Sequence, residues 1–202
     1  MCIRDRVHPE SVEGFFTAAE HRDLRMICGK VLMDRNGPIG LLDTPETSYI
    51  DSKNLIERWH GRGRLRYAVS PRFAPTSTPD QLATACQLLR EYPGTHLQTH
   101  LSEDKEEINW VKSLFPSCKN YLDVYKRAGL LGKRSTFAHC LHLTEVDWEI
   151  LQDERCSVAF CPSSNLFLGS GLFDLPRLQF ADVKVGIGTD VGAGTSLSML
   201  QT

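Results

Sequence analysis

The stretch "QTHLSED" places His100 three residues ahead of Glu103, at a junction where an apolar-leaning run gives way to a helix-like one. Three more segments carry residues of the same character: "FAHC" with His139, "GIGTDVGAG" with Asp190, and "SPRFAPT" with Arg72 and Phe73. Two histidines and an aspartate converging from strand ends are suitable ligands or outer partners for a divalent metal such as zinc. Zinc brings the pKa of water to about 7. A carboxylate near it, one turn beyond His100 as Glu103 is expected to be, can then take the proton and later deliver it to a leaving nitrogen. The glycines around Asp190 let the backbone approach a ligand closely.

Each residue also has a plain structural explanation. An acidic residue in the first turn of a helix is favoured by the helix dipole, so a histidine followed by such a turn is common. His139 reads equally as a satisfied core histidine, Asp190 as a turn former, and Arg72 as the partner of a carboxylate. What favours chemistry is position: Arg72, Phe73, His100, His139, Asn165 and Asp190 all fall at or just past the C-terminal end of a predicted strand. In parallel βα folds that edge is where active sites are built.

Short apolar strands alternating with longer amphipathic segments predict βα units and a parallel sheet. The strands are expected at Met26–Met33, Leu65–Ser70, His96–His100, Thr136–Cys140, Ser157–Cys161 and Val183–Gly188. Thr78 as N-cap, Pro79 after it and Gln81 three beyond the cap open one helix. Thr144 with Asp147 repeats the device, and a third helix is expected to begin at Ser102 with acidic residues crowding its first turn. No linker or internal repeat interrupts the series, so residues 1–202 read as one domain.

Composition narrows the partners. The 202 residues are 41% hydrophobic and 24% charged with a formal net charge of −2, the balance of a globular chain without a broad basic surface. Only "WHGRGRLR" forms a short basic patch, so nucleic acid is not an expected partner. No run approaches eighteen apolar residues and no signal-peptide pattern opens the chain; neither a membrane partner nor export is expected, and the cytoplasm is the default location. Seven scattered cysteines show no paired spacing, which fits reduced thiols. Other motifs are weaker: "GIGTDV" has Val191 where a dinucleotide fingerprint needs its third glycine, "HPE" at His8 lacks the P-C-x-x-C half of a nucleic-acid deaminase, and Ser163 and Ser164 lack the glycines of a nucleophile elbow.

Together "SPRFAPT", "QTHLSED", "FAHC", "CPSSNLFLGSG" and "GIGTDVGAG" resemble the guanine deaminases, zinc hydrolases of the amidohydrolase superfamily, from about Lys30 to the C-terminus. The resemblance implies an α/β fold, a (β/α)8 barrel of the TIM type, incomplete here with strands 3 to 8 present and strands 1 and 2 missing. It implies that His100 and Asp190 are zinc ligands and that Asp190 helps position the attacking water. Glu103 would shuttle the proton, and His139 would lie beside the metal and polarise the site. Arg72 and Phe73 would hold the base, with His100, Glu103 and Asp190 also facing it. The implied reaction is guanine plus water to xanthine plus ammonia, in an enzyme expected to be a homodimer with one Zn2+ per chain.

In that family an H-x-H pair supplies two further zinc ligands, and no H-x-H occurs in these 202 residues. The chain is therefore expected to be an internal fragment, inactive alone, with Met1–Arg6 as a non-native extension. Competing readings are a related deaminase acting on 8-oxoguanine, a nucleoside thioether or a triazine, and a non-catalytic barrel remnant. A doubly wound nucleotide-binding domain is more distant.

Overall fold

The structure, a computed structural model, describes residues 5–179, 181–198 and 200. Met1–Arg4 of the expected extension lie outside the described residues, whereas Asp5–Arg6 forms a two-residue strand, β1. The chain divides into two compact units, Met1–Gln98 and Thr99–Thr202.

In the first unit β1 is followed by helix α1 (Pro9–Glu20), strand β2 (Met26–Leu32), helix α2 (Pro45–Trp59), strand β3 (Leu65–Pro71), helix α3 (Pro79–Glu91) and the start of strand β4 (His96–Leu101). The strands pair in parallel in chain order, with Asp5 opposite Gly29, Met26 opposite Leu65 and Ala68 opposite His96. From Ile27 onward β2 is buried at every residue, as expected of a parallel strand covered on both faces. A Cβ at Gly29 would meet the Ala68 carbonyl oxygen at 1.7 Å, so only glycine lets β3 approach there.

The helices start where local chemistry directs. The Thr78 hydroxyl accepts from the Gln81 N–H with Pro79 in the first turn, and Thr44 and Thr47 form a reciprocal capping box opening α2, an arrangement worth about 1 kcal/mol. Phe16 of α1 stacks on Trp59 of α2 with ring centres 5.5 Å apart, and Leu55, Leu65, Tyr67 and Leu88 are at most 2% exposed. Burying each such side chain contributes roughly 1.5–3 kcal/mol. The arginines of the basic patch are engaged: Arg62 pairs with Glu20 of α1, Arg64 with Asp23, and Arg66 donates to the Gly63 and Leu65 carbonyls, while Arg58 just ahead of the patch pairs with Glu13.

In the second unit the end of β4 is followed by helices α4 (Lys105–Leu114) and α5 (Tyr121–Arg127), strand β5 (Ser135–His139), helix α6 (Glu145–Asp153), strand β6 (Ser157–Phe160), helix α7 (Pro162–Leu168) and strand β7 (Lys184–Ile187). Again the pairing is parallel, Thr136 opposite Ser157 and Val158 opposite Val185. The Thr144–Asp147 capping box opens α6 as expected. The expected helix start at Ser102 is corrected to Asp104, whose carboxylate accepts from the Glu106 and Glu107 N–H groups. Ser102 cannot cap because it is left-handed, φ 51°, whereas an N-cap needs extended backbone; its carbonyl accepts instead from Leu141 and His142. Among the described residues no helix is long and apolar enough to cross a membrane.

Candidate metal centre

His100 is the penultimate residue of β4, His139 ends β5, and Asp190 lies three residues past β7. One ligand atom of each lies within 4.8 Å of the others. Ligands of a tetrahedral zinc site with bonds of about 2.1 Å stand about 3.4 Å apart, so a modest side-chain adjustment closes the triad on one ion. His139 enters this cluster as a third candidate donor, where the sequence reading sets it beside the metal. Two imidazoles and one carboxylate make a donor set suited to zinc.

The backbone is unusual at these strand ends. Ser102, His139, Cys140 and Asp190 all have positive φ, between 46° and 69°, a region non-glycine residues enter rarely and one that recurs at functional sites. After Asp190 the chain turns back, with Gly194 N–H donating to the Asp190 carbonyl at 2.6 Å. A Cβ at Gly194 would meet the Thr189 carbonyl at 1.9 Å, so this glycine serves the approach of the loop to its own backbone.

Glu103 lies in the loop between β4 and α4 rather than in a first helical turn, because Asp104 takes the cap. From there its Oε2 stands 3.4 Å from His139 Nε2. His139 is 1% exposed. Burial, and then the neighbouring His100, push its imidazole down to about 4, so it is uncharged near neutral pH. Its Nδ1 meets Asn165 Oδ1 at 2.8 Å, while its Nε2 has no hydrogen-bond partner among the described residues. The His100 and His139 rings lie 5.2 Å apart, inclined by 30°.

Behind His100 lies a layer that sequence reasoning missed. The Tyr125 hydroxyl, on α5, stands 2.8 Å from the His100 carbonyl as its donor and 3.1 Å from the Thr99 hydroxyl. Burial pushes the Glu107 carboxyl up to about 7, with Glu103 and Asp104 adding to the effect and Tyr121 and His100 opposing it. Tyrosines at helical spacing in "YLDVY" read as core, and nothing in that spacing points at a strand end. Burial, Asp190 and Glu103 push the Cys161 thiol up to about 12.

Arg72 and Phe73 follow β3 in the first unit, apart in the chain's division from the four polar residues of the second. The Arg72 guanidinium lies over the Phe73 ring at 4.9 Å, and the Phe73 carbonyl accepts from the Thr76 and Ser77 hydroxyls. The six described cysteines are free thiols, and Cys2 lies outside the described residues.

A family model for amidohydrolases matches residues 5–202. Guanine deaminase of Escherichia coli (strain K12) is 60% identical over 196 residues, covering 97% of this chain and 45% of that protein. The solved structure of E. coli guanine deaminase superposes with a TM-score of 0.96 at 59% identity, over 98% of this chain and 46% of that one. The crystal structure of guanine deaminase from C. acetobutylicum with guanine bound in its active site gives a TM-score of 0.90 at 28% identity, over 95% and 46% of the two chains. The chain thus spans a little under half the length of these relatives, and its βα units have the amidohydrolase barrel fold over that span.

Proposed function

The chain belongs to the amidohydrolase family, and from that premise we propose that it carries the zinc-binding and proton-transfer half of a guanine deaminase site, in a protein that hydrolyses guanine to xanthine and ammonia. The observation that carries this is the cluster of His100, His139 and Asp190 within 4.8 Å, with the Glu103 carboxylate 3.4 Å from His139, in a chain 60% identical to a guanine deaminase. His100 and Asp190 would hold the ion, one per chain, with His139 beside it in the same cluster. A zinc ion there supplies Lewis acidity that makes water a proton donor near neutral pH.

Glu103 accepts a proton from the water that attacks the amino-bearing carbon of the guanine ring and passes it to the adjacent ring nitrogen; it then takes the proton of the newly formed hydroxyl and delivers it to the departing amino nitrogen, so that ammonia leaves as the carbonyl of xanthine forms. Asp190 orients the attacking water, and His139, uncharged at neutral pH, holds its Nε2 toward the same point. Arg72 donates to acceptors of the base and Phe73 packs on its face; the resemblance of "SPRFAPT" supports this assignment. Because no H-x-H occurs in the chain, the 202 residues alone are expected to turn over little or no guanine. The same resemblance supports a homodimer in the cytoplasm.

The test is to extend the chain with its flanking coding sequence, measure zinc per chain, and follow the ultraviolet change from guanine to xanthine. Stoichiometric zinc and turnover abolished by Glu103→Gln are expected, with guanine turnover lost selectively in Arg72→Ala. Absence of guanine turnover in the extended protein, or turnover indifferent to Glu103→Gln, overturns the proposal.

A further inference from the structure

We propose that Asp34, Arg35 and Asn36, in the loop after β2, are positioning residues: they clamp the backbone of residues 74–78 and so set Arg72 and Phe73 where the base is held. Three successive carbonyls, those of Ala74, Pro75 and Thr76, accept from this loop. The Arg35 guanidinium donates from Nη2 to Ala74 at 3.1 Å and from Nε to Pro75 at 3.2 Å. Asn36 Nδ2 donates to Pro75 at 2.7 Å, and the Asp34 and Arg35 N–H groups donate to Thr76 at 3.0 and 3.4 Å. The Asp34 carboxylate closes the far end, accepting from the Thr78 N–H at 2.8 Å and from the Thr78 hydroxyl. That hydroxyl accepts in turn from the Gln81 N–H that opens α3, so the clamp ties the segment to the helix start.

The segment needs such donors. Ala74–Thr76 forms a single 3-10 turn, too short to hold its shape alone. Ala74 and Thr76 are at most 1% exposed, and carbonyls of a buried segment are costly to leave unpaired. Asn36 is left-handed at φ 53°, a conformation its short polar side chain tolerates.

Arg72 and Phe73 sit between this clamp and β2. The Arg72 N–H donates to the Leu32 carbonyl at 3.1 Å, and the Phe73 carbonyl accepts from the Thr76 and Ser77 hydroxyls. The guanidinium over the Phe73 ring at 4.9 Å is therefore fixed through backbone bonds on both sides. A displacement of about 1 Å in a binding group can cost about 100-fold in rate, so the precision of this turn bears directly on the base.

The purpose of the clamp rests on the base-binding reading of Arg72 and Phe73, and the test separates the two in the protein extended with its flanking coding sequence. Arg35→Met keeps the apolar stem and removes both guanidinium bonds. It should lower kcat/KM for guanine by about 10–100-fold, mainly by raising KM, with zinc per chain unchanged; Arg35→Lys should recover part of the loss. In an Arg72→Ala background the same substitution should cost much less, since the clamp acts through that residue. Asn36→Gly, which keeps the left-handed backbone and removes one exposed bond, should act in the same direction more weakly and decides the matter if Arg35→Met does not fold. Amide hydrogen exchange over residues 72–78 reads the clamp without substrate and should be about 10-fold faster in Arg35→Met. Unchanged exchange overturns the clamp whether or not guanine is turned over, and faster exchange with unchanged KM overturns its positioning role. A wild type that turns over no guanine, with exchange accelerated in the variants, sinks the guanine reading while supporting the clamp.

Discussion

Lys30 in the first unit and His139 in the second are each 1% exposed, yet they are treated in opposite ways. The Lys30 ammonium pairs with Asp43, lies 3.9 Å from Asp51 and donates to the Val31 carbonyl, so its charge is met by carboxylates. His139 has one nitrogen satisfied and the other open. The same contrast runs through the backbone. In the first unit the described non-glycine residues with positive φ are Asp23 and Asn36, both in loops, whereas in the second four such residues crowd the strand ends beside the open nitrogen. Buried polar groups are nearly always paired in native proteins, so a closed ion pair reads as scaffold and an open donor set on strained backbone reads as a site.

The contrast can be broken from either side. Lys30→Ala leaves Asp43 without its partner and opens a cavity; it should cost about 3–5 kcal/mol, read as a lowered urea midpoint, while zinc affinity of the remaining folded protein is unchanged. His139→Ala should do the reverse, lowering guanine turnover of the extended protein by about 100-fold or more, with a smaller change in urea midpoint than Lys30→Ala.

Glu107 sharpens the comparison through pH. Its folded-state pKa of about 7 exceeds the ordinary 4.5, so the fold favours the protonated carboxyl. That stabilisation is full below about pH 4.5 and is lost as pH rises to about 7, at most about 3 kcal/mol in all. Urea midpoints at pH 5 and pH 8 should therefore fall further in the wild type than in Glu107→Gln. The smallest effects concern what the units share: Thr44→Ala and Thr144→Ala each remove a capping box and should cost about 1 kcal/mol alike, without touching zinc.

Much of this was legible in the chain because the signals are local. The six strands expected from apolar runs are β2 to β7, each within two residues at its ends, and Thr78 and Thr144 cap as their spacing predicts. The start of α4 was misread because Ser102 and Asp104 both have capping side chains; the choice was made by the left-handed backbone of Ser102 and its bonds to Leu141 and His142, forty residues away in sequence. Helices α1, α2, α5 and α7 were not anticipated, although α2 opens on the same Thr-Pro pair as α3.

By itself the sequence determined that polar residues stand at the ends of parallel strands, because alternation of apolar runs and capped helices is written in neighbouring side chains. It also determined the kinds of donor on offer, two histidines and carboxylates with no paired cysteines. Only the tertiary structure decided that His139 joins His100 and Asp190, that Asn165 rather than water or a carboxylate holds its far nitrogen, and that Tyr125 supports the backbone of His100. Those pairings join residues 25 to 90 positions apart, and their distances follow from strand pairing and helix packing, which no local pattern encodes.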